Sequence, residues 1–180
     1  GGSLFMRERT SALLETQGLA VVTDKVAAVK ALAEVTAKAA QRECVRLNAL
    51  FASSFPDGFT VHEGKDGQPM LSSGGLILNQ RTQDVDRFSA ASGAVATLLV
   101  RKGDDFLRVS TSVKQDNGER AAGTMLGADN PARAPLLAGQ PYVGRAQIFG
   151  KDYYASYTPI KDAAGKVVGA TFVGRSFVEE

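Results

Sequence analysis

The sequence predicts an α+β domain built on a five-stranded antiparallel sheet, with one long N-terminal helix and two short helices. Two observations support this prediction. The first fifty residues repeat apolar positions at helical spacing, and the later part of the chain alternates β-rich runs with turn residues. Strands joined by tight turns, next to a separate helical segment, are typical of an antiparallel sheet in an α+β domain.

The N-terminal helix is predicted from a stripe of apolar or small residues at steps of three and four. No proline occurs before Pro56, which stops the helix. A continuous helix from Leu4 to Ser54 would be roughly 75 Å long at about 1.5 Å per residue, although Gly18 could interrupt it. We place the helix at residues 4–55 and expect its small-residue face to pack on the sheet. That face consists of Val22, Val26, Val29, Ala33, Thr36, Ala40, Cys44, Leu47 and Phe51.

Five main strands are predicted in hairpin order in the second half of the chain. The β-rich runs there are separated by short turns that contain glycine and aspartate. Asp104 and Asp105 form a vicinal acid pair in the first of these turns, and we interpret them as turn residues. The strands are expected at residues 94–100, 106–111, 142–149, 153–158 and 166–173.

The pattern between the long helix and these strands is weaker. Residues 59–62 are a weak strand candidate, and residues 64–75 are predicted as a glycine-rich turn region. Two short helices, each with capping residues at its ends, are predicted at residues 82–92 and 130–139. We assign residues 56–178 to one sheet-based ligand-binding module and treat the chain as a single domain overall.

Composition excludes several classes of function. The chain has 180 residues and a formal charge of +2, too weak a charge to indicate a nucleic-acid partner. No run approaches eighteen apolar residues, so no transmembrane helix is expected inside it. Cys44 is the only cysteine and His62 the only histidine, so we expect no intrachain disulfide and no histidine-rich metal site.

Enzymatic motifs are also missing from the sequence. Neither the dinucleotide-binding glycine motif nor the P-loop motif occurs, and no G-x-S-x-G elbow is present. These absences disfavour a hydrolase or a transferase. We expect no catalytic residues, no cofactor and no metal.

The candidate site is a set of polar and aromatic side chains on strands that should be buried on at least one face. Arg108 and Ser110 are expected on one side of their strand, and Tyr153 and Tyr157 on one side of another. A buried arginine needs an anionic partner, and its donor fork matches a carboxylate. We predict an anion pocket formed by Arg108, Ser110, Arg145, Tyr153, Tyr157 and Phe88, with Phe88 on a short helix covering it.

Residues 93–177 resemble a known family of sensor domains. They carry a glycine-led hairpin with an arginine in its second strand, then a short helix, then two strands joined by a glycine turn, and a closing hairpin. In this order they are similar to the single-Cache domain described as a Cache3–Cache2 fusion. The resemblance rests on residues 93–112, 118–124, 136–139, 142–146, 149–153, 157–162, 165–169 and 172–174.

The resemblance implies a PAS-like sheet with the long helix on one face and the ligand pocket on the other. It implies an extracytoplasmic sensor between two transmembrane helices, in a chemoreceptor, a histidine kinase or a cyclic-dinucleotide enzyme. We therefore expect a periplasmic domain of an inner-membrane protein, cut from a longer chain, that pairs with a second copy through its N-terminal helix. The implied ligand is a small organic anion, such as formate, acetate or another C1–C4 acid.

A second interpretation stays open from the sequence alone. The chain could be a PAS- or profilin-like interaction module without a small ligand, in which the long helix is a dimerisation surface. Flanking membrane segments in the parent protein, or binding of a small carboxylate, would distinguish the sensor from this alternative.

Overall fold

The computed structural model describes the backbone of residues 2–178 and the side chains of residues 14–178. Its helices and strands form the α+β arrangement that the sequence predicts. The helices are α1 (Gly2–Ser53), α2 (Gln83–Ser92) and α3 (Arg133–Leu137). The strands are β1 (Thr60–Glu63), β2 (Pro69–Ser73), β3 (Leu76–Ile77), β4 (Val95–Lys102), β5 (Asp105–Thr111), β6 (Tyr142–Ile148), β7 (Lys151–Lys161) and β8 (Val167–Ser176).

The main sheet is antiparallel and five-stranded, with strand order β5-β4-β8-β7-β6. Hairpin turns join β4 to β5, β6 to β7 and β7 to β8, as the turn residues predicted. The remaining pairing, between β4 and β8, places the first strand of the main sheet next to the last one. This confirms the PAS-like sheet implied by the resemblance.

The chain divides into two compact units, residues 1–39 and residues 40–180. In the first unit, the side chains of residues 14–36 are exposed, and Val22, Val26 and Val29 are each about half exposed or more (48–67%). Ala33 is exposed too, and the expectation that residues 22–36 pack on the sheet stays a prediction. The 52-residue helix is far longer than any strand: the eleven residues of β7 span roughly 36 Å at about 3.3 Å per residue.

In the second unit the same apolar stripe is buried. Cys44 and Phe51 have no exposed surface, and Leu47 is 5% exposed. These residues lie at the end of α1, which stops at Ser53, just before Pro56. Within the second unit, residues 44–51 of α1 therefore pack on the sheet.

Residues 64–75 differ from the sequence prediction. They contain the strand β2, which pairs with β1 and β3 in a separate three-stranded sheet. Proline opens β2 and serines close it, and these residues are depleted or neutral in strands. Leu71 is fully buried and the backbone amide of Leu71 donates to Asn79 Oδ1 at 2.8 Å, so tertiary packing forms a strand that local propensity does not indicate.

Two apolar cores lie on opposite faces of the main sheet, because successive strand residues point to opposite sides. On β4, Leu98 and Val100 belong to one core and Leu99 to the other. The helix-side core contains residues of α1 and α2, including Phe51 and Val85. The cavity-side core is covered by α3 and the loop that follows β5, and it consists of Leu99, Phe106, Val113, Ala121, Leu126, Ala132, Leu136, Ala146, Ile148, Tyr153, Ala155, Tyr157, Val167, Ala170 and Phe172.

Candidate anion-binding site

Arg108 is a charged residue buried on the same face of the main sheet as the cavity-side core. It lies on β5 opposite Leu99, and its side chain shares the face of Phe106, so only 5% of the residue is exposed. Its Nη1 donates to Thr124 Oγ1 at 3.0 Å and to the carbonyl oxygen of Met125 at 2.9 Å. Burial lowers the pKa of the guanidinium, since desolvation penalises its charged form.

Neither hydrogen-bonded partner of Arg108 carries a charge. Within residues 14–178, no carboxylate forms an ion pair with it. Asp105 attracts the guanidinium from a distance, but this carboxylate accepts bonds from the amides of Phe106 and Gly127 and lies 3.8 Å from Arg133. Arg108 thus keeps a positive charge that nearby protein groups balance only in part.

A cavity of about 190 Å³ opens beside this guanidinium. Small-molecule pockets of drug size measure about 300–1,000 Å³, so this cavity suits a ligand of few atoms. Its wall combines one cation, one carboxylate, two amides and apolar groups. The lining residues are Arg108, Met125, Leu126, Asp129, Asn130, Gln147, Ile148 and Phe149.

Tyr157 supports Arg108 from the sheet. It lies on β7, only 1% exposed, packed against Phe172 with ring centroids 4.6 Å apart. Asn130 Nδ2 donates to its hydroxyl at 3.3 Å, and Arg108 also interacts with that hydroxyl. Burial raises the pKa of Tyr157 to about 12, so the phenol remains protonated at neutral pH and can act as a donor.

Tyr153 shares the cavity side with Tyr157, as the sequence predicted. It is 5% exposed, and its ring meets Phe172 edge to face at 6.5 Å. Burial raises its pKa. Neither tyrosine is among the residues that line the cavity, and of the two it is Tyr157 that interacts with Arg108.

Ser110 lies on the other face of the sheet, and the prediction that it shares a side with Arg108 is wrong. Leu98 pairs with Ser110 while the next residue, Leu99, pairs with Arg108. Val109 is therefore a bulge residue, and such an extra residue reverses the alternation of side chains. The Ser110 hydroxyl donates to the carbonyl oxygen of Arg81, just before α2.

Arg145 is also on the helix side, away from Arg108. It pairs with Tyr154, whereas its neighbour Ala146 pairs with Tyr153 on the cavity side. The Arg145 guanidinium carbon lies 5.9 Å from the Tyr154 ring centroid and 5.3 Å from that of Phe177. Strand register decides this placement, and register was open in the sequence.

Phe88 does not cover the cavity. It lies on α2 against the helix-side core, and its ring centroid is 5.1 Å from that of Phe51. Its helix was predicted, but the prediction that this helix covers the pocket is wrong, because α2 packs on the other face of the sheet. Phe88, Ser110 and Arg145 are thus separated from Arg108 by the sheet.

Sequence reasoning predicted Arg108 but none of the other residues that line the cavity, and two of these missed residues contact Arg108 or Tyr157. Asn130, predicted only as a helix cap, accepts the amide of Ala132 through Oδ1 at 2.9 Å and also reaches Tyr157. Phe149 follows the last residue of β6 in a left-handed conformation (φ 50°), next to Gly150. The centroid of its ring lies 5.3 Å from the guanidinium carbon of Arg108. A bulky residue before a turn glycine was the only available signal.

Two larger grooves lie elsewhere on the second unit, but their charged side chains are engaged or exposed. One, of about 360 Å³, includes Arg101, whose Nε donates to the carbonyl oxygen of Gly103 at 2.9 Å. The other, of about 550 Å³, lies at residues 150–152 and 176–178. Neither has a buried charge comparable with Arg108.

The described residues contain neither a cluster suited to a metal ion nor a helix suited to span a membrane. Among them, no group of three or more histidine, cysteine, aspartate or glutamate side chains could hold a metal ion. No helix in this part of the chain combines the length and apolar character needed to cross a bilayer.

Comparison with known proteins identifies the family. No curated protein matches the sequence. A family model, the Cache 3/Cache 2 fusion domain, matches residues 8–179, which is nearly the whole chain. The match agrees with the long helix, the antiparallel five-stranded sheet and the short helices. The chain therefore belongs to the Cache 3/Cache 2 fusion family of extracytoplasmic sensor domains.

Proposed function

We propose that this sensor domain binds a small organic anion in the cavity beside Arg108 and serves a membrane receptor in chemotaxis. The ligand class is a carboxylate of one to four carbons, such as formate or acetate. The observation that carries the proposal is a buried guanidinium, 5% exposed and without an ion pair among residues 14–178, on the wall of a cavity.

The energetics of burial support an anionic ligand. Removing a charge from water costs several kcal/mol unless a partner of opposite sign compensates it. Two neutral acceptors hold Nη1 of Arg108, and a ligand carboxylate would add the opposite charge that these contacts lack. Arginine binds carboxylates through parallel hydrogen bonds, which also orient the ligand.

The apolar part of the cavity supports a short ligand with little polarity beyond its acid group. Leu126 and Ile148 are buried, and Phe149 packs beside the guanidinium. These side chains would cover the carbon atoms of the acid, while Asn130 offers a side-chain amide. A cavity of about 190 Å³ suits a C1–C4 acid better than a larger metabolite.

A thermal-shift screen of the wild-type chain tests this function. Formate, acetate, propionate and butyrate are compared with chloride at equal ionic strength. A ligand at 100 times its dissociation constant that binds only the native state adds about 2.7 kcal/mol to the free energy of unfolding. We expect a rise in Tm with at least one carboxylate and none with chloride. No rise with any acid contradicts the sensor proposal and favours an interaction module.

We also propose that two copies pair through α1 in a receptor with flanking transmembrane helices. The support is a set of exposed apolar side chains that share one face of α1 in the first unit, including Leu19 at 70%, Val22 at 59% and Val29 at 67%. Patches of this kind on a helix are typical of protein contacts. Sedimentation equilibrium should give a mass that rises from one to two chains with concentration, and a Val29→Asp variant should remain a monomer. A monomeric wild type at high concentration contradicts the pairing.

A further inference from the structure

We infer that Asp129 restricts the ligand to one negative charge by repelling a second acidic group. This inference rests on the proposed function, because it concerns the same cavity. Arg108 and Asp129 line one cavity of about 190 Å³, and Leu126, Ile148 and Phe149 provide the apolar surface of its wall. A ligand that places its carboxylate on Arg108 could extend its other end toward the part of the wall that Asp129 provides.

The two charges of the cavity differ in their surroundings. Arg108 is 5% exposed, whereas Asp129 is exposed and lies on the loop between β5 and α3. This places the positive charge on the inner wall and the negative charge on the solvent side. A monocarboxylate satisfies the inner charge and leaves Asp129 in water. A dicarboxylate would bring a second anion to Asp129 in a confined space.

Among the lining residues, no second cation offsets this repulsion. Asn130 and Gln147 are neutral, and the cation of α3, Arg133, is directed to Asp105 at 3.8 Å. Among the lining residues, Arg108 is the cation and Asp129 the anion. The cavity therefore fits a carboxylate whose far end is apolar, neutral or positive.

The size of the effect follows from Coulomb's law at the mouth of a cavity. Consider two like charges about 6 Å apart in a medium whose dielectric constant lies between that of water and that of a protein surface. Their repulsion lowers an affinity by about three- to tenfold. Salt screens such a pair, so the effect should shrink as ionic strength rises. Shape alone gives no such salt dependence.

Isosteric ligands separate charge from shape. Succinate and succinamate differ in whether the far group is a carboxylate or an amide, and malonate and malonamate form a shorter pair. Calorimetry at pH 8 measures each dissociation constant for the wild type, for Asp129→Asn and for Asp66→Asn. Asp66 is an exposed aspartate in the turn between β1 and β2 and provides the matched control.

The expected result is a preference of the wild type for the amide of each pair, reduced about three- to tenfold in Asp129→Asn and unchanged in Asp66→Asn. An unchanged preference in Asp129→Asn overturns the inference while leaving the proposed function intact. Binding of propionate without binding of either amide also overturns it, because the cavity would then reject any polar far group. Failure of every carboxylate overturns both the inference and the proposed function.

Discussion

Arg108 and Tyr157 define the chemistry of the site at the scale of single residues. One is a buried cation, and the other a buried phenol in contact with it. Asn130 completes the group by donating to the phenol oxygen. In this arrangement Tyr157 contacts the guanidinium that the proposed ligand would bind.

The raised pKa of Tyr157 makes stability depend on pH in the alkaline range. The native pKa is about 12, against about 10 for an unfolded tyrosine, so the unfolded chain loses this proton first. Stability is full below pH 10 and falls as pH rises toward 12. The loss should be about 1 kcal/mol per pH unit in that window.

A Tyr157→Phe variant tests this dependence. It has no phenol proton to lose, so it should lose less stability than the wild type between pH 9 and pH 11. Urea unfolding at each pH gives the free energy of unfolding. The quantity compared between the two proteins is the slope of this free energy against pH. Parallel curves for the two proteins would mean that the Tyr157 pKa is not raised by burial.

Asn48 joins α1 to the sheet at the scale of elements. It is 1% exposed, and its Nδ2 lies 2.9 Å from the carbonyl oxygen of Ser156 and 3.2 Å from that of Thr171. The same nitrogen is 3.3 Å from the hydroxyls of Ser156 and Thr158. One amide thus links α1 to both β7 and β8.

Replacing Asn48 by alanine should therefore destabilise the second unit. The loss removes a buried donor and leaves a gap beside two strands, and costs of about 2–4 kcal/mol are typical of such changes. Chemical denaturation measures the change, with Arg42→Ala on the exposed face of α1 as control. A cost equal to that of the control would show that α1 is held by apolar packing alone.

The helices and strands were largely predictable from sequence. The face of the sheet on which some of their side chains lie was not. Turn glycines and aspartates marked the hairpins of the main sheet, and the proline at residue 56 marked the end of α1. The strand β2 was missed because Pro69 and Ser73 have low or neutral strand propensity and because the stability of this strand comes from tertiary contacts. Leu71 shows this, since it is buried in the helix-side core.

The site was predictable in part. Arg108, Tyr153 and Tyr157 were expected on one face and lie there. The placement of Ser110 failed because a bulge at Val109 has no sequence signal of its own. The placement of Arg145 depended on the register between β6 and β7, which long-range pairing sets.

At the scale of the whole molecule, β7 connects the cavity to the helix side. Tyr157 faces the cavity-side core, and the adjacent Ser156 contacts Asn48 on α1. A small anion of millimolar to micromolar affinity provides roughly 4–8 kcal/mol, and only the part that differs between two conformations can shift them. We expect a small displacement of β7 and the end of α1 on binding, without refolding.

Calorimetric titration of the acid found in the thermal-shift screen, with wild type, Arg108→Lys and Arg87→Lys, tests the central claim most directly. Lysine keeps the charge but lacks the donor fork, and Arg87 is an exposed arginine of α2. We expect Arg108→Lys to bind at least tenfold more weakly, while Arg87→Lys binds as the wild type does and all three melt alike. Equal affinity in Arg108→Lys and the wild type would contradict the account, because the buried guanidinium would then not hold the ligand.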